Sequence, residues 1–396
     1  MGVLMRGGKE LCPVYVPRKI EENDINFFDY DGTLVASYTL AETQALTELP
    51  QAPDHSSDAV PLTFDGWNWT LDEIKALGRP CDIGAHYHPT DGKTHIVSDY
   101  DCTTDVQISF GSYSSKAVSI IVDWGDGSVE SITGVTTTAR VLKHTFSKGR
   151  HDTAIECDGE FRVGGTGTDG FQCEQLFLSN NLIQVANYLF RGCRVTTISL
   201  GSGLKELSAN SLASNYRVSF ISIPRTISNL SSNAITACSF KNIAFHPLLT
   251  SINNNLYTLT YLRRVSIPQG TTLYPSNAIN QVGVQELYIP DTVPIISGLI
   301  NAYNLRRVEF AGLQTQVVAN TFQNCYCLSE IIIPQGWVCN NNIMLSNSPS
   351  MSREKLVEFF GKLGNGSATI TLGTAMLAKL SDEDRAIATS KGYTLA

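Results

Sequence analysis

Two aspartates near the start of the chain stand where a reactive site could be built. Asp29 and Asp31 are one residue apart in FFDYDGTL (27–34), after an apolar run and before Gly-Thr. Carboxylates can serve as nucleophiles and proton carriers, and they can hold a divalent cation beside a phosphate. The stretch therefore raises the question of a phosphoryl-transfer site, which the surrounding elements must answer.

A second group of candidate residues is the histidine cluster in CDIGAHYHPTDGKTHIVSDYD (81–101). His86 and His88 are two residues apart and share one face of an extended strand, which is how a metal site on a sheet can begin, and His95 follows among aspartates. Surface histidines explain the pattern equally well. We predict no metal site and no cofactor, and metal binding by these three histidines stays an open alternative.

The FFDYDGTL stretch resembles the first motif of the haloacid dehalogenase phosphatases. That resemblance implies that Asp29 attacks phosphorus and that Asp31 moves the proton. Such an enzyme also needs a doubly wound parallel sheet and a later acidic pair, for which only Asp126 with Glu130 is available. A tight turn is sufficient reason for aspartates beside glycine. We therefore predict a protein with no catalytic residues and keep the phosphatase as a remote alternative.

Composition narrows the class of protein further. The 396 residues are 42% hydrophobic and 17% charged, which is typical of globular proteins, and the net charge of −8 gives no basic footprint for nucleic acid. No apolar run has the length of a signal peptide or a membrane span, so we expect no membrane insertion. The ten cysteines lack zinc-like spacing, and we predict mostly buried free thiols formed in a reducing compartment.

A repeat of about 22 residues organises the second half of the chain. The pattern apolar, any residue, apolar begins eight times at steps of 21 to 23 residues, and such even spacing predicts a solenoid with one short strand per repeat. The eight segments are LFL 176–178, ISL 198–200, ISI 221–223, IAF 243–245, VSI 265–267, LYI 287–289, VEF 308–310 and III 331–333.

An asparagine ladder runs in register with these strands. Its members are Asn187, Asn210, Asn233, Asn254, Asn277 and Asn320, with Gly298 where another rung would fall. Each asparagine stands two residues before an apolar side chain, and we expect its amide to satisfy backbone groups in the return segment. Cys193, Cys238 and Cys325 follow the ladder closely, so we predict that they are core residues.

These repeats resemble the BspA-type leucine-rich-repeat surface proteins over roughly residues 170–396. LRRVSIP (262–268), VQELYIP (284–290) and LSEIIIP (328–334) fit the family's LxxIxIP form closely. The C-terminal part predicts a helical cap, with Ser352 and Ser381 as helix N-caps and an apolar face at Leu356, Phe359, Phe360 and Leu363.

Corresponding positions of neighbouring repeats stack into rows, and one row carries alternating charge. It consists of Arg264, Glu286, Arg307 and Glu330. Such a row can simply stabilise stacking, since exposed pairs contribute only about 0–1 kcal/mol. The functional alternative is a ligand-binding strip that also includes Arg263, Tyr288, Arg306 and Glu309.

Two smaller modules precede the solenoid. SIIVDWGDGSVE followed by VLKHTFSKGRHDTAIEC resembles the PKD-type immunoglobulin-like sandwich, in which we expect Trp124 to be buried against the opposite sheet. Residues 25–97 contain two capping boxes, Thr39 with Glu42 and Thr70 with Glu73. Their DYDG turn and later FDGW resemble the β-grasp-like repeat of internalin-type surface proteins.

The sequence thus predicts a mainly β, multi-domain protein with short helices. Its parts are an N-terminal docking segment (1–24), a β-grasp-like domain (25–97), a PKD-like β-sandwich (98–165) and a leucine-rich-repeat solenoid with a helical C-terminal cap (166–396). The resemblances imply recognition of a host cell-surface glycan or protein. We expect a phage or prophage tail-associated virion protein of gut bacteria, folded in the host cytoplasm, whose residues 1–24 contact other tail proteins. The alternative is a secreted BspA-type adhesin on the bacterial surface.

Overall fold

The computed structural model describes most of the chain. The described residues are 5–6, 9–10, 22–165, 170–256, 258–272, 283–296, 299, 302–313, 315–318, 320–346, 348 and 350–396. Most of the predicted docking segment 1–24, the ladder positions Asn277 and Gly298, and the predicted boundary at residue 166 lie outside them.

The first domain is a four-stranded mixed sheet with two short helices. Its elements follow two short strands, β1 (Met5–Arg6) and β2 (Lys9–Glu10), which pair with each other; they are β3 (Ile25–Phe28), β4 (Leu34–Tyr38), α1 (Leu40–Ala45), β5 (Leu62–Trp67), α2 (Leu71–Leu77) and β6 (Cys81–Pro89). The sheet order is β4-β3-β6-β5, with the central pair parallel and both outer pairs antiparallel. Both predicted capping boxes are present, at Thr39 and at Thr70, so local sequence determines where both helices begin.

Two facing sheets form the next part of the molecule. Their strands are β7 (Thr94–Tyr100), β8 (Thr104–Ser112), β9 (Val118–Asp123), β10 (Val129–Val135), β11 (Arg140–Phe146), β12 (Gly149–Cys157) and β13 (Phe161–Gly164). Trp124 follows β9 and is fully buried, as predicted. Its ring stacks on His144 of the other sheet at a centroid distance of 4.5 Å, and its indole nitrogen donates to Glu130.

These sheets continue without a break into the solenoid. The six-stranded sheet has the order β10-β9-β12-β7-β14-β16 and the five-stranded sheet β11-β8-β13-β15-β17, where β14 (Cys173–Phe177), β15 (Leu182–Val185), β16 (Thr197–Ser199) and β17 (Glu206–Leu207) belong to the first repeats. One hydrophobic core accordingly runs from Ile96 to Tyr393. Strand β7 spans the boundary predicted at 97/98 and pairs with β12 and β14, so it lies in the six-stranded sheet.

The predicted solenoid strands are confirmed. After β14 and β16, the repeats contribute β18 (Phe220–Ser222), β19 (Asn242–Ala244), β20 (Arg264–Ser266), β21 (Glu286–Ile289), β23 (Arg307–Phe310) and β25 (Glu330–Ile332). The order β20-β21-β23-β25 is entirely parallel, and its register places Arg264, Glu286, Arg307 and Glu330 side by side. Shorter strands lie on the return side: β22 (Ile295–Ile296), β24 (Gln316–Val317) and β26 (Ile343–Met344).

The asparagine ladder differs from the prediction that its amides satisfy backbone groups of the return segment. Asn210 and Asn233 hold the left-handed backbone conformation, with φ of 59° and 61°, which asparagine tolerates better than most residues. The buried amides that satisfy backbone carbonyls belong to two other asparagines. Asn215 donates to the carbonyls of Phe190 and Leu212, and Asn255 to those of Ser231 and Ile252. Two ladder positions, Asn210 and Asn233, therefore mark left-handed turns. The buried amide bonds come from the asparagines five residues after Asn210 and one residue after Asn254.

Three cysteines occupy the core, as predicted. Cys193, Cys238 and Cys325 are buried, and each thiol donates to a carbonyl of the preceding repeat, at 3.2, 3.3 and 3.2 Å. Burial raises the pKa of Cys238 and of Cys325 to about 12, which keeps both thiols protonated.

A helical cap closes the C-terminal end of the solenoid. It comprises α3 (Arg353–Lys362), β27 (Thr369–Thr371), α4 (Thr374–Leu377), α5 (Asp382–Thr389) and β28 (Thr394–Leu395). Ser352 and Ser381 are the N-caps, and Leu356, Phe359, Phe360 and Leu363 are buried, all as predicted. None of the helices in the described ranges has the length and apolar content needed to cross a bilayer.

Candidate functional site

The strand face of the solenoid, where a ligand-binding strip was predicted, is divided into a covered and an open part. Strand β6 of the first domain crosses the outer side of β16, β18, β19 and β20. Its residues alternate: Cys81, Ile83, Ala85 and Tyr87 enter the core of the first domain, while Asp82, Gly84 and His86 face the solenoid. The burial of both faces of β6 follows from this position.

His86 joins the first domain to the solenoid through both of its ring nitrogens. Its Nδ1 lies 3.0 Å from the Leu200 carbonyl oxygen and its Nε2 lies 2.8 Å from the Ser222 hydroxyl. Nearby, the Ser199 hydroxyl donates to the Tyr87 carbonyl at 2.9 Å. Burial lowers the pKa of His86, so the neutral ring is favoured. This histidine is therefore a structural contact between the first domain and the repeats.

Charged pairs fix the same interface. Arg264 donates to Asp82 at 2.6 Å and to the Asn23 carbonyl at 2.8 Å, and the Arg264 side chain is only 17% exposed. Arg225 forms a bidentate pair with Glu73 at 2.7 and 2.8 Å. Arg264 was predicted to contact a ligand, but the structure engages its guanidinium within the chain. Its partner Asp82 was not singled out from the sequence, because it lies 182 residues away.

The open part of the strand face carries the other predicted strip residues in one hydrogen-bonded network. Tyr288 donates to Glu286 at 3.1 Å and accepts from Arg307 at 3.0 Å. Arg307 also donates to Glu309 at 2.8 Å, and its Nε lies at the longer ion-pair distance of 3.5 Å from Glu330. Burial raises the pKa of Tyr288, whose ring lies beneath the Arg307 guanidinium. Tyr288 is buried within the network, whereas the side chains of Arg307, Glu309 and Glu330 are 33%, 28% and 25% exposed.

Two further arginines stand at the margin of this network. Arg263 and Arg306 occupy the same position in two repeats, and both are exposed. Their backbone carbonyls accept hydrogen bonds from backbone amides at the start of the next strand. The backbone is therefore held in place without constraining the guanidinium groups. On the other side, Lys355 of α3 pairs with Glu330 and, at 3.0 Å, with Glu358. The charged surface thus extends from the strands onto the cap helix.

The two N-terminal aspartates hold the turn between β3 and β4. Asp31 accepts from the Thr33 amide at 2.8 Å, as the turn explanation predicts. Asp29 is 3% exposed and accepts from the Tyr30 amide and from His55 Nε2, each at 2.8 Å. Burial raises the pKa of Asp29. Neither carboxylate lies at the end of a strand in a doubly wound sheet, which the phosphatase motif would require.

The other candidate groups also have partners within the chain. His88 pairs with Asp65 at 2.7 Å, and His95 lies between Asp152 and Asp91 at 3.0 and 3.1 Å. Asp126 accepts from Ser128 and from His144. Among the described residues, no group of three His, Cys, Asp or Glu side chains is placed to hold a metal ion.

Comparison with known proteins supports the repeat class. A family model described as the BspA type leucine rich repeat region matches residues 183–304 in six copies. A leucine-rich repeat protein from Bacteroides ovatus is among the similar solved structures; it has 13% identity and a TM-score of 0.27, and the match covers 58% of this chain and 73% of that one. No curated protein matches the sequence.

Proposed function

We propose that the chain is a non-catalytic recognition protein of the BspA repeat type, acting at a bacterial surface. The observation that carries the proposal is the six-copy match to BspA-type repeats over residues 183–304. Strand β21 of the matched part and strands β23 and β25, which follow it, present a partly exposed charged face. The phage-tail assignment has no support among the comparisons, and the surface-adhesin alternative fits the repeat match better.

The two modules that precede the repeats are consistent with this proposal, because they hold the early repeats and leave the later repeats accessible. The mixed order β4-β3-β6-β5 fits the expected β-grasp-like domain, and the paired sheets around Trp124 fit the expected PKD-like sandwich. Contacts from β6 fix the first domain on the early repeats, which leaves the later repeats as the part available to a partner. A glycan or a protein on a host cell is the partner that such a rigid, polar face suits.

The proposed contact residues are those of the open strip. We assign partner binding to Arg263, Arg306 and the outward edges of Glu286, Arg307, Glu309 and Glu330, while Tyr288 and Arg264 support the strip from inside the chain. Because the two exposed arginines do not belong to the internal network, they can be reversed in charge without breaking it.

The test is binding of the fluorescently labelled full chain to cultured animal epithelial cells and to a panel of intact bacteria. An adhesin binds the epithelial cells, and the Arg263→Glu/Arg306→Glu variant loses at least about tenfold in affinity if two desolvated charge contacts are removed. Arg217→Glu, which reverses an exposed arginine elsewhere on the solenoid, is the matched control.

Other outcomes decide against the proposal. Binding restricted to particular bacterial strains would favour the tail-protein alternative, and binding to neither type of surface would contradict recognition by the open strip. Mg²⁺-dependent hydrolysis of p-nitrophenyl phosphate that disappears in Asp29→Asn would overturn the non-catalytic assignment.

A further inference from the structure

A groove of about 450 Å³ lies between the first domain and the turns of the solenoid. Helix α2 and the residues flanking it contribute Trp69, Ala76, Leu77 and Arg79, and the solenoid contributes Gln269 and Asp291 among others. The volume is that of a small-molecule site, with an apolar wall and a few polar groups. It contains none of the residues of the open strip.

Arg79 is a buried cation at the wall of this groove. The residue is 7% exposed, and its Nη2 donates to the Ile267 carbonyl at 3.1 Å and to the Gln269 side chain at 3.3 Å. Within the described ranges, its Nε has no hydrogen-bond partner and no carboxylate lies within 4.0 Å of its guanidinium. The hydrogen-bond acceptors of this positively charged guanidinium are therefore two neutral groups, the Ile267 carbonyl and the Gln269 side chain.

Asp291 and Glu309 act on Arg79 electrostatically without forming an ion pair with it in the described part of the chain, and other carboxylates of this region are engaged elsewhere. Asp82 accepts from Arg264 and Asn242, and Glu73 forms the bidentate pair with Arg225. Burial is the largest effect on the pKa of Arg79 and lowers it, while Cys81, Glu309 and Asp291 raise it in part. A second pocket of about 20 Å³, which Arg79 also lines, has room for one water. Such a water can bond to Nε, but it supplies no anion that pairs directly with the guanidinium.

Asp291 limits which anion can enter. Its carboxylate lines the same groove and accepts from the Gln269 amide, so a multiply charged ligand such as phosphate would be repelled. A singly charged group beside hydroxyls fits better, because hydroxyls can donate to Asp291 and accept from Gln269. Ala76 and Leu77 offer an apolar surface to the carbon skeleton.

We propose that this groove binds an acidic monosaccharide, whose single carboxylate pairs with Arg79 and whose hydroxyls bond to Asp291 and Gln269. The inference does not rest on the proposed function, because the open strip and the groove share no residue. It assigns a small-molecule site to the junction between the first domain and the repeats.

The test is titration of the full chain with N-acetylneuraminate, D-galacturonate and D-glucuronate, followed by isothermal calorimetry and by saturation-transfer NMR. We expect at least one of these acids to bind at least about tenfold more tightly than D-galactose or D-glucose, as the loss of one charge-assisted contact predicts. Inorganic phosphate should bind more weakly than that acid.

Two kinds of variant locate the site. Ala76→Trp fills the groove from an exposed position on α2 and should abolish binding, whereas Ala41→Trp, an equally exposed alanine on α1, should leave it unchanged. Arg79→Gln should make the affinity for the sugar acid equal to the affinity for the corresponding neutral sugar. Since Arg79 also contacts Ile267, the thermal midpoint of the Arg79→Gln variant is measured in parallel. If that variant unfolds, the result for Ala76→Trp alone tests the site.

Three results would overturn the inference. They are equal affinity for acids and neutral sugars, tighter binding of phosphate than of any sugar acid, and acid binding that survives Ala76→Trp. Loss of cell-surface binding in the Arg263→Glu/Arg306→Glu variant tests the other face, so failure of one proposal is distinguishable from failure of the other.

Discussion

Gly84 is the position where the contact between the first domain and the solenoid is closest. A Cβ atom added there would stand 2.2 Å from Ser222 Oγ, 2.4 Å from Ser222 Cβ and 3.0 Å from Ala244 Cβ. Carbon atoms in good contact are separated by about 3.5–4.0 Å, so a single methyl group requires β6 to move outward by roughly 1 Å. The change Gly84→Ala should therefore loosen the docked domain.

The expected cost follows from overpacking. Inserting a methyl group into a closely packed contact costs about 1–3 kcal/mol, from which the lower chain entropy of alanine in the unfolded state subtracts about 0.4–1 kcal/mol. We expect a net loss of about 1–2 kcal/mol in the free energy of local opening. Ser222→Gly alone should also destabilise the contact, because the Ser222 hydroxyl bonds to His86.

The decisive measurement is a double-mutant cycle read by native-state hydrogen exchange of β6 and β18. Ser222→Gly removes the two nearest of the three atoms that the new methyl group meets, so it should restore part of the stability lost in Gly84→Ala, with a coupling energy of about 1 kcal/mol or more. Ser222→Ala is the matched control, since it removes the hydroxyl but keeps the Cβ at 2.4 Å.

Either of two results would refute the reasoning. If Gly84→Ala leaves exchange of β6 unchanged, the first domain is not docked as closely as the structure has it. If Ser222→Ala rescues Gly84→Ala as well as Ser222→Gly does, the clash is not with the Cβ, and the hydroxyl alone accounts for the effect.

Three further predictions concern charge, protonation and thiol reactivity. Asp82→Asn leaves the largely buried Arg264 without its counter-charge, so urea unfolding should show a loss of about 3–5 kcal/mol, and a loss below about 1 kcal/mol would contradict the pair. Burial lowers the pKa of His246 to about 4, below the roughly 6.5 of an unfolded chain, so the unfolded state binds more protons between these values. The contribution of His246 to stability should be constant well above pH 6.5 and fall by about 3 kcal/mol towards pH 4, and His246→Gln should reduce the loss of stability over that range. Exposed Cys327 should react with iodoacetamide in the native protein, whereas buried Cys325, two residues away, should react only on unfolding, as peptide mapping by mass spectrometry can establish. Equal labelling of the two cysteines would contradict the burial.

Local and periodic features were predictable from the sequence for a physical reason. Each solenoid strand buries two apolar side chains in the same register as its neighbours, so the repeat of about 22 residues is imposed by stacking and is visible in the chain. Helix starts at Thr39, Thr70, Ser352 and Ser381 were predictable because each cap side chain accepts from a backbone amide only three residues further along the chain.

The docking of the first domain was not predictable in the same way. Its contacts join residues that are 112 to 241 positions apart, as in Tyr87 with Ser199 and Asn23 with Arg264, and no local pattern encodes such a pair. The alternation along β6 was a partial signal. Asp82, Gly84 and His86 alternate with apolar residues, a pattern that by itself indicates a strand face exposed to solvent. The structure instead buries both Asp82 and His86.

The outward side chains of the solenoid nevertheless record where the first domain lies. At the middle outward position of successive strands the residues are Ser199, Ser222, Ala244 and Ser266. These small side chains allow β6 to approach the strand backbone, as the Ser199 contact with Tyr87 and the close approach of Gly84 to Ser222 require. From the next repeat onward the same position holds Tyr288, Glu309 and Ile332, which are too large for such an approach. The change from small to large residues therefore coincides with the edge of the face that β6 covers, and beyond that edge the larger side chains form the hydrogen-bonded network around Arg307.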